Sequence, residues 1–237
     1  MTKYLLFTLL IFGHTTLANE SKLKQCSALK VAGGEWLKYE YINRYKGSAT
    51  GKGIELLKRF DETFDVAVVI MPDTPFPRQL KELKEGKLDF MIGLFNIEDR
   101  RKDYELSTPY FAEPLHVYAL KGKFSDKISL NDLTSFVAGL RRGSSYGDRL
   151  DSFFEQNKSY TAEVKNSENV AKLLLKGRID YFVATPTVKQ EFLNISKDIK
   201  QYNSVARQDT SFAFSKNSPC VVWMDELNQL IKEDHLL

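Results

Sequence analysis

The chain has 237 residues, 43% hydrophobic and 27% charged, with a formal net charge of +3. That near-neutral balance, with basic and acidic residues interleaved rather than clustered, argues against nucleic acid as a partner. After the first dozen residues no stretch approaches the roughly 20 apolar residues that a membrane-crossing helix requires.

In chain order, Lys3 precedes an apolar run from Tyr4 to Phe12, and Thr16-Leu-Ala18 then places small residues at −3 and −1 of a cleavage point. The run is too short to span a bilayer and reads as a secretory signal peptide cut after Ala18, which makes the protein exported and soluble. Leu23-Lys-Gln-Cys26 is not a lipobox, because a lysine stands where a small residue is needed. Cys26 and Cys220 lie near opposite ends of the mature chain, in an oxidising compartment. The sequence leaves open whether they form a bridge tying the termini together or are two separate buried thiols.

Leu29 to Ala32 reads as a strand, Ile54, Leu57 and Phe60 have helical spacing, and Val66 to Met71 forms a second strand. Pro72 to Pro77 is turn-rich, with Pro77 suited to a helix's first turn. Leu80 and Leu83 continue that helix. Leu115 to Leu120 is a strand, as is Phe136 to Leu140, and Asp148 to Gln156 is a helix. Val170, Leu173 and Leu174 mark another helix. Phe212-Ala-Phe214 is a returning strand and Met224 to Ile231 the last helix.

Two segments repeat. Gly86-Lys-Leu-Asp-Phe-Met-Ile92 and Gly177-Arg-Ile-Asp-Tyr-Phe-Val183 match conservatively at every position, 91 residues apart. Each follows a helical stretch, with glycine where a left-handed C-cap is wanted and a buried strand after it. Two α/β lobes of similar construction account for this, although helix–glycine–strand is also a common joint. Between them, Gly143-Ser-Ser-Tyr-Gly147 matches the G-x-S-x-G pattern of hydrolase nucleophile elbows and has the strand–turn–helix setting. A serine nucleophile needs a histidine base, however, and the mature chain has only His116, before the serine, and His235, at the C-terminus. The same setting makes an anion cradle, since N–H groups at a helix start point outward. The two histidines, without a cysteine cluster, give no metal site, and no cofactor motif is present.

The segment Arg78 to Tyr110 resembles the first-lobe core of periplasmic solute-binding proteins of family 3, the amino-acid-binding type. Its marks are a leucine-bearing helix, G-[KR]-[IL]-D, a strand, an arginine after a short acidic stretch, and S-x-P-Y. Trp36-Leu-Lys-Tyr39 is similar to the family's aromatic loop, with Lys38 where proline is usual. Gly143-Ser-Ser145 falls where the family has G-[ST]-[ST]. The resemblance runs from about Leu29 to Ile231. It implies a type II periplasmic binding fold, two α/β lobes joined by two hinge strands, closing on a small solute for an ABC importer. The lobes expected are 19–114, 115–208 and a return over 209–237. The family also implies a periplasmic, monomeric, non-enzymatic protein.

By the same resemblance Arg100, seven residues before Ser107 and ten before Tyr110, grips the ligand's carboxylate, which its planar fork suits. Arg101 is the register-shifted rival. Tyr39 stacks on the ligand, Phe95 walls it, and Ser144, Ser145 and Thr185 close from the second lobe. Two departures stand out. Ile97 and Phe95 replace residues whose hydroxyls help hold amino acids, and Thr185 replaces the aspartate that receives the ammonium group. The carboxylate end is kept and the amine end is not, which favours a carboxylate with an apolar or differently polar remainder. Two other readings share the fold: a dehydratase of prephenate-like acids, using Glu98, Asp99 or Glu168 as its acid, and a sensory receptor presenting its ligand to a membrane kinase.

Overall fold

A computed structural model describes residues 19–32, 52–72, 74–164, 167–186 and 194–235. The expected signal peptide and the aromatic loop with Tyr39 lie outside the described residues. Two compact units emerge: Met1–Gly93, Asp103–Thr108 and Phe212–Leu237 form the first, Leu94–Lys102 and Pro109–Ser211 the second. Segments 94–102 and 109–114, expected in the first lobe, and 209–211, expected in the return to it, group with the second. Their backbone bonds explain this: Phe111 to Leu120 is hydrogen-bonded along Thr210 to Ile199, and Asn96 N–H donates to Asp209 O at 2.9 Å.

In the first unit, β1 (Ala28–Ala32) lies between β2 (Ala67–Ile70) and β3 (Phe90–Phe95), all parallel. Helix α1 covers residues 19–25, α2 is Lys52–Phe64 and α3 is Phe76–Lys84, the last with proline in its first turn. The short α4 (Glu98–Asp103), which belongs to the second unit up to Lys102, precedes β4 (Tyr104–Leu106), and β4 pairs antiparallel with the end of the long β9 (Ile199–Ser215). Leu29, Val31, Leu57, Phe60, Phe90 and Trp223 are fully buried here. Cys26 and Cys220 are disulfide-bonded, with Cα atoms 5.0 Å apart. Around the bridge, the Trp223 indole N–H donates to Cys26 O at 3.0 Å, and Lys22 of α1 pairs with Glu226 and sits over the Trp223 ring.

The second unit is built around β5 (Phe111–Leu120), antiparallel to both β9 and β8 (Tyr181–Ala184). Parallel to β8 runs β6 (Ala138–Arg141), and parallel to β6 runs β7 (Thr161–Val164). Alternation along β5 feeds two cores. Leu115, Val117 and Ala119 join Leu150 and Phe154 of α5 (Asp148–Gln156), while Tyr118 joins Val170, Ala171 and Leu174 of α6 (Ser167–Leu175). A helix on each face of the sheet is the α/β layering that the alternating elements predict.

The repeated segments build the same joint twice. Gly86 and Gly177 have φ of 76° and 65°, the left-handed region that glycine enters without a Cβ penalty. Lys87 N–H reaches back to Glu82 O and Arg178 N–H to Leu173 O, both at 2.9 Å. The repeat aspartates then clamp the neighbouring strand in the same way. Asp89 accepts from Lys30 N–H at 2.9 Å and Asp180 from Val137 N–H at 2.8 Å, while Asp89 N–H and Asp180 N–H donate back to those residues' carbonyls. The final helix, α7, is Met224–His235, longer than expected.

Candidate functional site

Register places the expected second-unit residues along one edge. β6 and β8 pair in parallel with Ala138 opposite Tyr181 and Gly139 opposite Phe182, so the two strands end level. The Gly143–Gly147 turn leaves one end and Thr185 caps the other. Crevices beyond the carboxyl ends of parallel strands are where α/β sheets bind ligands.

Within the turn, Ser144 N–H donates to Arg141 O at 3.1 Å and Arg141 N–H to the Tyr146 hydroxyl at 2.8 Å. Burial pushes the Tyr146 phenol up, so it stays a neutral brace. Ser144 Oγ accepts from the Arg141 guanidinium at 3.2 Å, which leaves its own proton to donate. Ser145 differs from the expectation of an open hydroxyl. It donates to the Asp151 carboxylate, which also takes Tyr146 N–H at 2.8 Å, and it accepts from Gly147 N–H at 3.1 Å. A carboxylate from the chain itself therefore occupies the electropositive start of α5, where the helix dipole favours it. Ser145 shapes the turn, and its acid–base neighbour is an aspartate rather than a histidine. His116, on β5, has its Nδ1 bonded to Tyr202 O at 2.8 Å.

Thr185 is 5% exposed. The Tyr118 hydroxyl, fully buried and pushed strongly up by that burial, donates to Thr185 O at 3.2 Å with Gln201 Oε1 at 3.3 Å. Its ring is stacked on Phe182 at 5.1 Å.

Phe95 and Arg100 stand at the entry to the second unit. Phe95 packs against the core formed by Leu115, Tyr146 and Leu150. Arg100 is half-buried and donates from Nη1 to Phe95 O at 3.2 Å, which steadies the guanidinium against the backbone beside that ring. Arg101 is exposed and reaches Asn96 Oδ1. Arg100 is the more buried of the two arginines. Ile97, where the family has a hydroxyl, is buried.

Glu98 and Asp99 are exposed on α4, and the Lys102 hydrogen bond at 2.6 Å lowers the Asp99 carboxyl, the wrong direction for an acid that must hold a proton. The Glu168 side chain lies outside the described residues. Among the described residues no group of three or more His, Cys, Asp or Glu could hold a metal ion, and no helix is long and apolar enough to cross a membrane.

Sequence reasoning missed Asp151, Tyr118, Gln208 and Glu113. Gln208, on β9, packs its side chain against Gly147: a Cβ there would meet Oε1 at 1.9 Å. Only pairing between β5 and β9 reveals that Glu113 stands opposite it.

The family described as bacterial extracellular solute-binding proteins, family 3, matches residues 29–235. A Bacillus subtilis (strain 168) relative described as a probable amino-acid-binding protein, YxeM, is 25% identical over 175 residues, covering 72% of this chain and 64% of that one. Among solved structures, holo ArgBP from T. maritima superposes with a TM-score of 0.70 at 18% identity, over 91% of this chain and 93% of that one. The amino acid ABC transporter substrate-binding protein AbpA from Streptococcus pneumoniae, bound to L-arginine, gives 0.69 at 21%, over 92% of each. A histidine kinase sensor domain similar to periplasmic binding proteins gives 0.73 at 17%, over 90% of this chain and 92% of that one.

Proposed function

Because this chain belongs to the bacterial extracellular solute-binding proteins of family 3, we propose that it is a periplasmic receptor for a small carboxylate-bearing, amino-acid-like solute, serving an ABC importer. Export with cleavage after Ala18, lobe closure and the absence of turnover belong to the same proposal. The observation that carries it is Arg100, a half-buried guanidinium steadied on Phe95 O, which the sequence resemblance aligns with the family's carboxylate-gripping arginine. Its donors suit a carboxylate's two oxygens. Phe95 and Tyr39 supply the aromatic wall, while Thr185 and Ser144 offer hydroxyls and Ser145 sets the turn. A relative described as amino-acid-binding and a neighbour bound to L-arginine support the solute class.

A ligand at about 100 times its dissociation constant stabilises the fold by roughly 2.7 kcal/mol, about 5–10 °C in melting temperature for a chain of this size. A thermal-shift screen of small carboxylates should find a clear stabiliser, and neutral sugars should not register. Arg100→Ala should weaken that ligand about 30-fold or more, and Arg101→Ala should behave as wild type. Binding that survives Arg100→Ala would show that the carboxylate is held elsewhere.

The likeness to a histidine kinase sensor domain favours a second reading, a receptor that signals rather than transports. Uptake of the labelled solute that stops when this chain is deleted supports the importer. Unchanged uptake with a lost transcriptional response supports the sensor.

A further inference from the structure

Thr185 offers a ligand a hydroxyl and no charge, yet the same edge of the second unit carries a carboxylate that neither the motif nor the spacing indicates. Glu113 lies on β5 and is only 6% exposed. The pairing of His116 with Ala184 brings Leu115 level with Thr185 and places Glu113 one step further out along the same face. That face is identified by its packing. Leu115 and Val117 share a core with Tyr181 and Val183, so alternation turns both Glu113 and Thr185 toward the side where α5 begins. Diagonal neighbours on adjacent strands lie about 7–8 Å apart, within reach of a long side chain. On β9 the residues of the same face are Gln208, opposite Glu113, and Thr210, an amide and a hydroxyl.

We propose that Glu113 receives the ammonium group of the ligand, beside the Thr185 hydroxyl, and thereby selects carboxylates that also bear an amine. The inference rests on the carboxylate end being held at Arg100. The acid that the family places after β8 has in this chain moved to the adjoining strand. An ammonium brought against a buried carboxylate makes a charge-assisted bond, whereas an ammonium set against Thr185 alone is desolvated without a counter-charge.

The test is a calorimetric panel of the common L-amino acids, each beside the matching desamino acid, against wild type, Glu113→Gln, Glu113→Asp and Arg100→Ala. Wild type should bind at least one amino acid about 30-fold or more tighter than its desamino partner. Glu113→Gln should bring that ratio close to one by weakening the amino acid, and Glu113→Asp should restore part of it. An unchanged ratio in Glu113→Gln overturns the proposal. So does a wild type that binds both members of each pair alike, or no amino acid at all, and these outcomes decide even if Glu113→Gln fails to fold. Arg100→Ala separates the two claims: loss of both members supports the carboxylate reading, whereas its retention overturns that reading without touching the amine ratio.

Discussion

Ser145 shows how one residue's neighbours overrule its motif. The glycines around it match a nucleophile elbow, and the strand–turn–helix context is present. In the folded chain its proton goes to Asp151 and its oxygen takes Gly147 N–H, so the side chain ties the turn to the helix it introduces. Ser145→Ala should cost about 1–2 kcal/mol, since it leaves a partly buried carboxylate and an amide without their hydroxyl. The melting temperature should fall by roughly 2–8 °C, with ester hydrolysis at background in both proteins. A loss of hydrolysis of about 10³-fold would make Ser145 a nucleophile after all.

The repeated helix–glycine–strand joint is the element that the sequence exposes best, because everything it needs is local. Glycine must adopt the left-handed conformation, and a short aspartate immediately before the strand can reach a backbone N–H at the neighbouring strand. At Asp180 burial raises the carboxyl's pKa, but the hydrogen bond from Lys123, the Val137 N–H and the Lys123 charge outweigh it and hold the pKa below the ordinary range. A depressed folded pKa contributes stability that is present above the unfolded value, near 4, and is lost as pH falls through the folded one. Asp180→Asn should therefore destabilise the protein at pH 7 by about 1–2 kcal/mol, and the gap from wild type should close below about pH 4. Chemical denaturation across that range measures it, and a gap that stays constant to pH 2 would contradict the coupling. The long β9 was the opposite case. Only its apolar end, Phe212 to Phe214, reads as a strand, because residues 199–211 are mostly polar, without a regular apolar alternation. β4 (YEL) and β7 (TAEV) are short and interrupted by polar residues, so they too lack an apolar run that would mark them.

For the whole molecule, the disulfide is the longest-range constraint, joining residues 194 apart. In the chain-entropy model such a loop contributes about 5 kcal/mol by restricting the unfolded chain. The Cys26→Ser, Cys220→Ser double variant should melt about 10 °C or more below wild type and still bind the same solute, because the bridge and its Trp223 packing lie in the first unit. Non-reducing mass analysis of exported protein should show the two cysteine peptides linked. Two freely alkylated thiols, or an unchanged melting temperature, would rule out a stabilising bridge.

The sequence by itself determined the α/β alternation, the repeated joint, the existence of a bridgeable cysteine pair and the family, since each is written in residues close together or in motifs of fixed spacing. It also named Arg100 and Arg101 as rivals and marked Thr185 as a missing charge. What it could not hold was pairing between distant segments. Which arginine is half-buried depends on how the chain after β3 folds onto Phe95. Whether Ser145 is open depends on α5 returning Asp151 to the turn. And the position of Glu113 beside Thr185 follows from β5 lying between β8 and β9, strands whose register is fixed by side chains about 70 to 95 residues further along the chain. A lone glutamate before a proline carries no local signal. Only the sheet gives it neighbours.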